Sequence, residues 1–115
     1  MKSNFESYIA VIFTSTRTHH HDEDYALWSQ RMDELVREQP GFIDFVSARD
    51  PETRIGITVA YFADEESVLK WKANLEHLEA QRLGRRDFYE GYSVKVANVY
   101  REYETGKLRT GVSEN

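Results

Sequence analysis

An α+β fold of the ferredoxin-like split βαβ kind, in the order β-α-β-β-α-β, is predicted by three observations on this 115-residue sequence. Four short runs are rich in β-branched and aromatic residues. Two longer segments space their apolar residues alternately three and four apart, which is the mark of a helix packed on one side. The middle two strands are separated only by the turn-rich stretch DPETR, so they should pair as a hairpin. A chain of this length builds one core, and the expected organisation is a single domain over residues 1–104 followed by a polar tail, 105–115, that should fray.

Taken in order, Tyr8 to Thr14 reads YIAVIFT, with apolar side chains on both alternating sets, as in a strand buried on both faces. From Asp24 to Glu38, the residues Tyr25, Trp28, Met32 and Leu35 form the stripe of a first helix, which Pro40-Gly41 ends. Phe42–Ala48 and Ile55–Phe62 are the hairpin strands, and the second repeats the doubly apolar pattern. Asp64 is suited to cap a second helix that carries Val68, Trp71, Leu75 and Leu78 on one stripe and runs to about Gln81. One further turn is expected over Arg86 to Glu90. A last strand follows over Tyr92 to Tyr103, with Tyr92, Val94 and Val96 on one face. In the split βαβ unit the first and third strands are central and both helices lie on one face of an antiparallel sheet. The two strands that read as apolar on both sides are the first and the third. Helices cover one face only, so a second copy of the chain is the economical cover for the other, and a homodimer is expected.

Composition narrows the function. The net charge is −5 and no basic run exceeds Arg85-Arg86, which leaves little electrostatic drive for a nucleic-acid partner. Cysteine is absent, so a disulfide framework, a thiolate metal site and a cysteine nucleophile are excluded together. The first six residues lack the basic-then-apolar order of a signal peptide, and no apolar run has the length of a membrane span, so a cytoplasmic location is expected. No dinucleotide-binding glycine fingerprint, P-loop or nucleophile elbow occurs. His19, His20 and His21, with Asp22 and Asp24, offer nitrogen and oxygen donors, but neighbours in a loop do not converge on one ion unaided, and no metal site is expected.

The second helix is the more informative element. Asn74, His77 and Gln81 make a polar stripe beside the apolar row led by Trp71, and Arg85 lies one turn further on. These five residues can line one wall of a cavity, with His77 as acid or base because an imidazole titrates near neutrality and Trp71 as a rigid apolar wall. Tyr89 and Tyr92 can bury a ring while offering a hydroxyl to a ligand. Packing alone also accounts for all of these positions, since every amphipathic helix has polar flanks. Arg49, Asp50 and Arg54 read as ordinary solvated charges.

YIAVIFTSTRT, QPGFIDFVSARD, GITVAYF and WKANLEHLEAQRLGRRDFYEGYSVKVANVYREYE together resemble the antibiotic biosynthesis monooxygenase (ABM) family of the dimeric α+β barrel superfamily, over nearly the whole chain to about Glu104. The likeness is greatest to a bacterial branch without assigned chemistry. It implies a dimeric barrel and, in members with known chemistry, one of two activities. The first is oxidation of phenolic or quinone-precursor substrates by molecular oxygen with no prosthetic group, the substrate anion supplying the electrons. The second is haem binding and degradation by an Asn, Trp and His set, for which Trp71 matches but Gln81 stands at the histidine position. The expected function is therefore cofactor-independent oxygenation of an aromatic or enolisable small molecule. In that reading His77 is catalytic, and Trp71, Asn74, Gln81, Arg85 and Tyr89 bind the substrate. Two alternatives stay open: a non-catalytic ligand-binding or stress-response barrel, which predicts a purely apolar cavity, and a haem protein, which predicts a histidine reaching it.

Overall fold

The computed structural model describes residues 7–81 and 88–108, the side chains of 76–81 excepted. Six elements appear in the predicted order: β1 (Tyr8–Arg17), α1 (Asp22–Arg37), β2 (Phe42–Arg49), β3 (Ile55–Phe62), α2 (Glu65–Gln81) and β4 (Tyr89–Val99). The four strands form one antiparallel sheet in the order β2-β3-β1-β4, so β1 and β3 are central, as their doubly apolar sequences require.

Register fixes which residues share a face. Val11, Phe13 and Ser15 of β1 stand in line with Val96, Val94 and Tyr92 of β4, and Phe13 with Thr58 and then Ser47 across β3 and β2. The helices lie over this face. The core between them joins Val36 of α1 and Val68 and Trp71 of α2 to Phe45, Ala60 and Phe62 of the sheet, with Phe62 fully excluded from solvent. α1 packs on β2, and α2 on β1 and β3, which leaves Tyr92, Val94 and Val96 of β4 half-exposed although they face the helix side. The opposite face carries Ile12, Val59, Ile57 and Val46 in register. Val46, Ile55 and Ile57 there are exposed at 42%, 50% and 45%, so this face is apolar and open to solvent in the isolated chain.

Several boundaries differ from the expectation, by one residue at the ends of α1 (Arg37) and β2 (Arg49) and by more elsewhere. β1 continues through Ser15, Thr16 and Arg17, pairing with Gly56 and Ile55 on one side and with β4 on the other, because the two polar residues Ser15 and Arg17 are as buried as the core. α1 begins two residues earlier, at Asp22. His21 takes the left-handed conformation (φ 60°) just before it, and Asp22, Glu23 and Asp24 fill the first turn, where carboxylates meet the positive end of the helix. β4 starts at Tyr89, which pairs with Arg17 at the extended end of β1, and ends at Val99, which pairs with Tyr8 at the start of β1. Glu90 is thus strand and not part of a turn, while Arg86 lies outside the described residues.

α2 starts where Asp64 accepts hydrogen bonds from the Ser67 amide (2.8 Å) and hydroxyl (2.7 Å), which satisfies a free donor of the first turn. These bonds hold the Asp64 carboxyl below the usual carboxylate range. Gly41 turns the chain into β2 with φ 77°, and a Cβ there would fall 2.0 Å from Ser67 Oγ, so two separate constraints require glycine at this position.

Candidate functional site

The helix-side face of the sheet and the two helices border a partly open cavity of about 180 Å³. Its floor is Val11 and Phe13 of β1, Thr58 and Ala60 of β3, and Phe45 and Ser47 of β2. α1 supplies one wall through Tyr25, Trp28, Ser29, Met32, Asp33 and Val36, which recur at helical spacing. Trp71 and Leu75 of α2 supply another, and Tyr89 and Val94 of β4 line the remaining edge. Because the lining is mainly aromatic and aliphatic, the space favours an apolar ligand, with a few polar groups to orient it.

Those polar groups sit at two places. At the end nearest the hairpin loop, Arg49 donates from Nη2 to Ser15 Oγ (2.8 Å) and to the Tyr25 hydroxyl (3.4 Å), and from Nη1 to the carbonyls of Arg54 (2.7 Å) and Ser15 (3.2 Å). The Tyr25 hydroxyl also receives a long hydrogen bond from Tyr89 (3.5 Å). Phe13, Tyr25, Tyr89 and Tyr92 pack ring to ring at this end, with centroids 5.4 to 6.1 Å apart and mostly edge to face. Arg17, only 2% exposed, lies behind them with its guanidinium carbon 4.0 Å from the centre of the Tyr25 ring. It donates to the Phe88 and His20 carbonyls and pairs with Asp22 at 2.6 Å. Asp22 is shared with Arg54 at 2.7 Å, and these two arginines, Arg54 first, hold its carboxyl below the ordinary range. The clasp ties together the end of β1, the start of α1, the hairpin loop and the approach to β4.

At the second place, on the α1 wall, stands Asp33. It is half-buried and accepts no hydrogen bond among the described residues. Burial pushes its carboxyl above the usual range, and Arg37, one turn on, opposes the shift.

The sequence-predicted site residues fall out as follows. Trp71 is buried and lines the cavity, and Tyr89 lines it with its ring. Asn74 is half-buried on α2 but is not part of the lining. The side chains of His77 and Gln81, and Arg85 altogether, lie outside the described residues. Among the described residues no histidine lines the cavity; His19, His20 and His21 are all exposed, and no three potential ligands converge as a metal site would need. No helix among them is long and apolar enough to cross a membrane.

Two residues read as solvated charges are otherwise. Arg49 lines the cavity and Arg54 is 20% exposed, because Arg49 donates to the carbonyls of Ser15 in β1 and Arg54 in the hairpin loop, and Arg54 to the carbonyl of Thr18 just beyond β1. Asp33 was missed although a signal existed. It follows Ser29 by one turn on the flank of the Trp28 and Met32 stripe, the same pattern that drew notice to Asn74 beside Trp71.

The sequence profile of the antibiotic biosynthesis monooxygenase family matches residues 7–83. YqjZ of Bacillus subtilis strain 168, described as uncharacterized, is 39% identical over 95 residues, which is 83% of this chain and 82% of that one. Among solved structures, PA3566 of Pseudomonas aeruginosa superposes with a TM-score of 0.65 at 16% identity, covering 88% of this chain and 100% of its own. SnoaB, a cofactor-independent oxygenase from Streptomyces nogalater, superposes with a TM-score of 0.60 at 12% identity, covering 90% and 100%. These two likenesses concern the fold; the profile and the Bacillus relative decide the family. The chain belongs to the antibiotic biosynthesis monooxygenase family.

Proposed function

We propose that the chain is a cofactor-independent monooxygenase whose substrate is an aromatic or readily enolised small molecule bound between the helices and the sheet. The observation that carries this reading is the cavity wall. Phe13, Trp28, Trp71 and Tyr89 offer aromatic surface, and only a few polar groups interrupt it, among them Asp33 and the Arg49-backed Tyr25. A ligand anion formed there is shielded from bulk water and held close to co-bound oxygen, which is what chemistry without a prosthetic group requires of a protein. The similarity to SnoaB supports the same class. In the overall reaction a ring CH2 conjugated to an enolisable carbonyl becomes C=O. One atom of O2 is retained, the other leaves as water, and the substrate supplies the four electrons.

A purely ligand-storing barrel would be lined by apolar groups alone, whereas this lining includes a carboxylate and a guanidinium. The homodimer belongs to the same proposal, since the exposed Val46, Ile55 and Ile57 face needs a cover and a second copy closes a barrel between two sheets. The test is oxygen uptake by the purified, chelator-treated protein with anthrone as probe. Uptake above the spontaneous rate, reduced at least tenfold in Trp71→Ala, is expected. Anthrone that binds at the cavity without accelerated uptake would leave the storage reading in its place.

A further inference from the structure

We propose that Asp33 is the catalytic base of this cavity, the group that takes the proton from an acidic C–H of the bound substrate. The inference deepens the oxygenase reading and rests on it for the fate of the resulting anion.

Three independent features converge on this residue. Its position on α1, one turn after Ser29 and beside Met32, puts it in the cavity wall opposite Trp71 and Leu75 of α2. Its carboxylate accepts no hydrogen bond among the described residues, which is unusual for a half-buried acid and leaves its lone pairs available to a ligand. Its surroundings in the wall are Trp28, Met32 and Val36, so the charged form is poorly solvated and correspondingly basic. By contrast Asp22 and Asp64, at the starts of α1 and α2, are both committed to partners.

The step balances without a further reagent. The Asp33 carboxylate accepts one C–H proton, and the electron pair left on carbon delocalises onto the conjugated carbonyl oxygen. Oxygen, the co-substrate of the proposed reaction, oxidises this anion and bonds to the carbon as a peroxide, which Asp33 reprotonates. Cleavage of the O–O bond with loss of the second C–H hydrogen gives the ketone and water, and Asp33 is again ionised. The charged and titratable groups that share the cavity lining with it are Arg49 on β2, Tyr89 on β4 and Tyr25 on its own helix, and Arg37, also on α1, is the charge that acts on its carboxyl. The side chains described on α2, and those on β1 and β3, add none to the lining.

The deciding experiment separates proton removal from oxidation. Anthrone is incubated with the protein in deuterium oxide without oxygen, and incorporation of deuterium at its CH2 is followed by mass spectrometry. The wild-type chain should speed exchange, Asp33→Asn should lose at least about a hundredfold of that acceleration, the usual worth of a positioned base, and Asp33→Glu should recover part of it. The acid limb of the wild-type rate, set above the ordinary carboxylate range, should vanish in Asp33→Asn, which a merely structural role would not cause. Circular dichroism should show Asp33→Asn folded, as the side chain has no hydrogen bond to lose among the described residues. Equal exchange in wild type and Asp33→Asn, or none above buffer in the wild type, would overturn the assignment. Exchange that depends on Asp33 but is followed by no oxygen uptake in air would keep the base and remove the oxygenase.

Discussion

Replacing Arg17 by Met should be the most damaging change of a polar residue in this chain, and the size of the loss follows from its contacts. The methionine keeps the apolar stem and removes the guanidinium. The contact with exposed Asp22 is worth little by itself, since that carboxylate is 66% exposed and remains bonded to Arg54. The Phe88 carbonyl is not orphaned either, because the Thr18 amide still donates to it at 2.9 Å. What disappears is a buried charge-assisted hydrogen bond, worth about 1.5–3 kcal/mol, and a cation–π contact with Tyr25, worth about 0.5–2 kcal/mol. Relief of the guanidinium's desolvation offsets part of that sum, and we expect a net loss of about 2–4 kcal/mol. For a chain of this size that is a fall of roughly 10 °C in the melting midpoint by calorimetry. Arg17→Lys should do nearly as badly, because an ammonium cannot stack on the ring while donating to several acceptors. Asp22→Asn should cost clearly less than Arg17→Met. If Arg17→Met melted within a degree of wild type, or Asp22→Asn were the worse of the two, the clasp would not be what holds Tyr25 and the approach to β4.

Phe62→Ala removes a fully buried ring of the core and should cost about 3–5 kcal/mol in urea titration. Gly41→Ala meets both the positive φ and Ser67 Oγ at 2.0 Å, so it should cost more than about 1 kcal/mol, with Ser67→Gly in the same chain restoring part by making room. Asp22 and Asp64 both have carboxyls lowered in the folded state, so their stabilisation is present above the ordinary carboxylate pKa and fades as pH falls through the lowered values. Acid titration should therefore show stability declining below about pH 4, less steeply in Asp64→Asn. Asp33 is of opposite sign. Its raised carboxyl costs stability when ionised and the cost vanishes on protonation, so Asp33→Asn should melt at or slightly above wild type at pH 7. Ile57→Lys, on the open apolar face, should shift sedimentation from dimer to monomer while leaving the circular dichroism of the fold intact.

The order of elements was legible because each strand and helix carries its own period, and the central placement of β1 and β3 because only they are apolar on both sides. The end of β1 was not, since a hydrophobic pattern cannot mark Ser15 and Arg17 as buried when their burial depends on carbonyls and rings brought from α1, the hairpin loop and the start of β4. Arg49 was misread for the same reason: its carbonyl partners are distant in sequence or lie across a tight loop. Trp71 was legible as the head of an apolar stripe, whereas Asp33 required knowing that α1, and not α2 alone, forms a wall of the cavity. Nothing in a single sequence distinguishes a polar flank that faces a cavity from one that faces water.

The most direct test of the central claim is a crystal structure of the chain with anthraquinone, the oxidation product of the anthrone probe. The ring system should lie between the sheet and the helices, against Trp71 and Tyr89, with an edge toward Asp33. Anthraquinone bound on the outer, Ile57-bearing face instead, with the helix-side cavity closed to it at saturating concentration, would contradict the account.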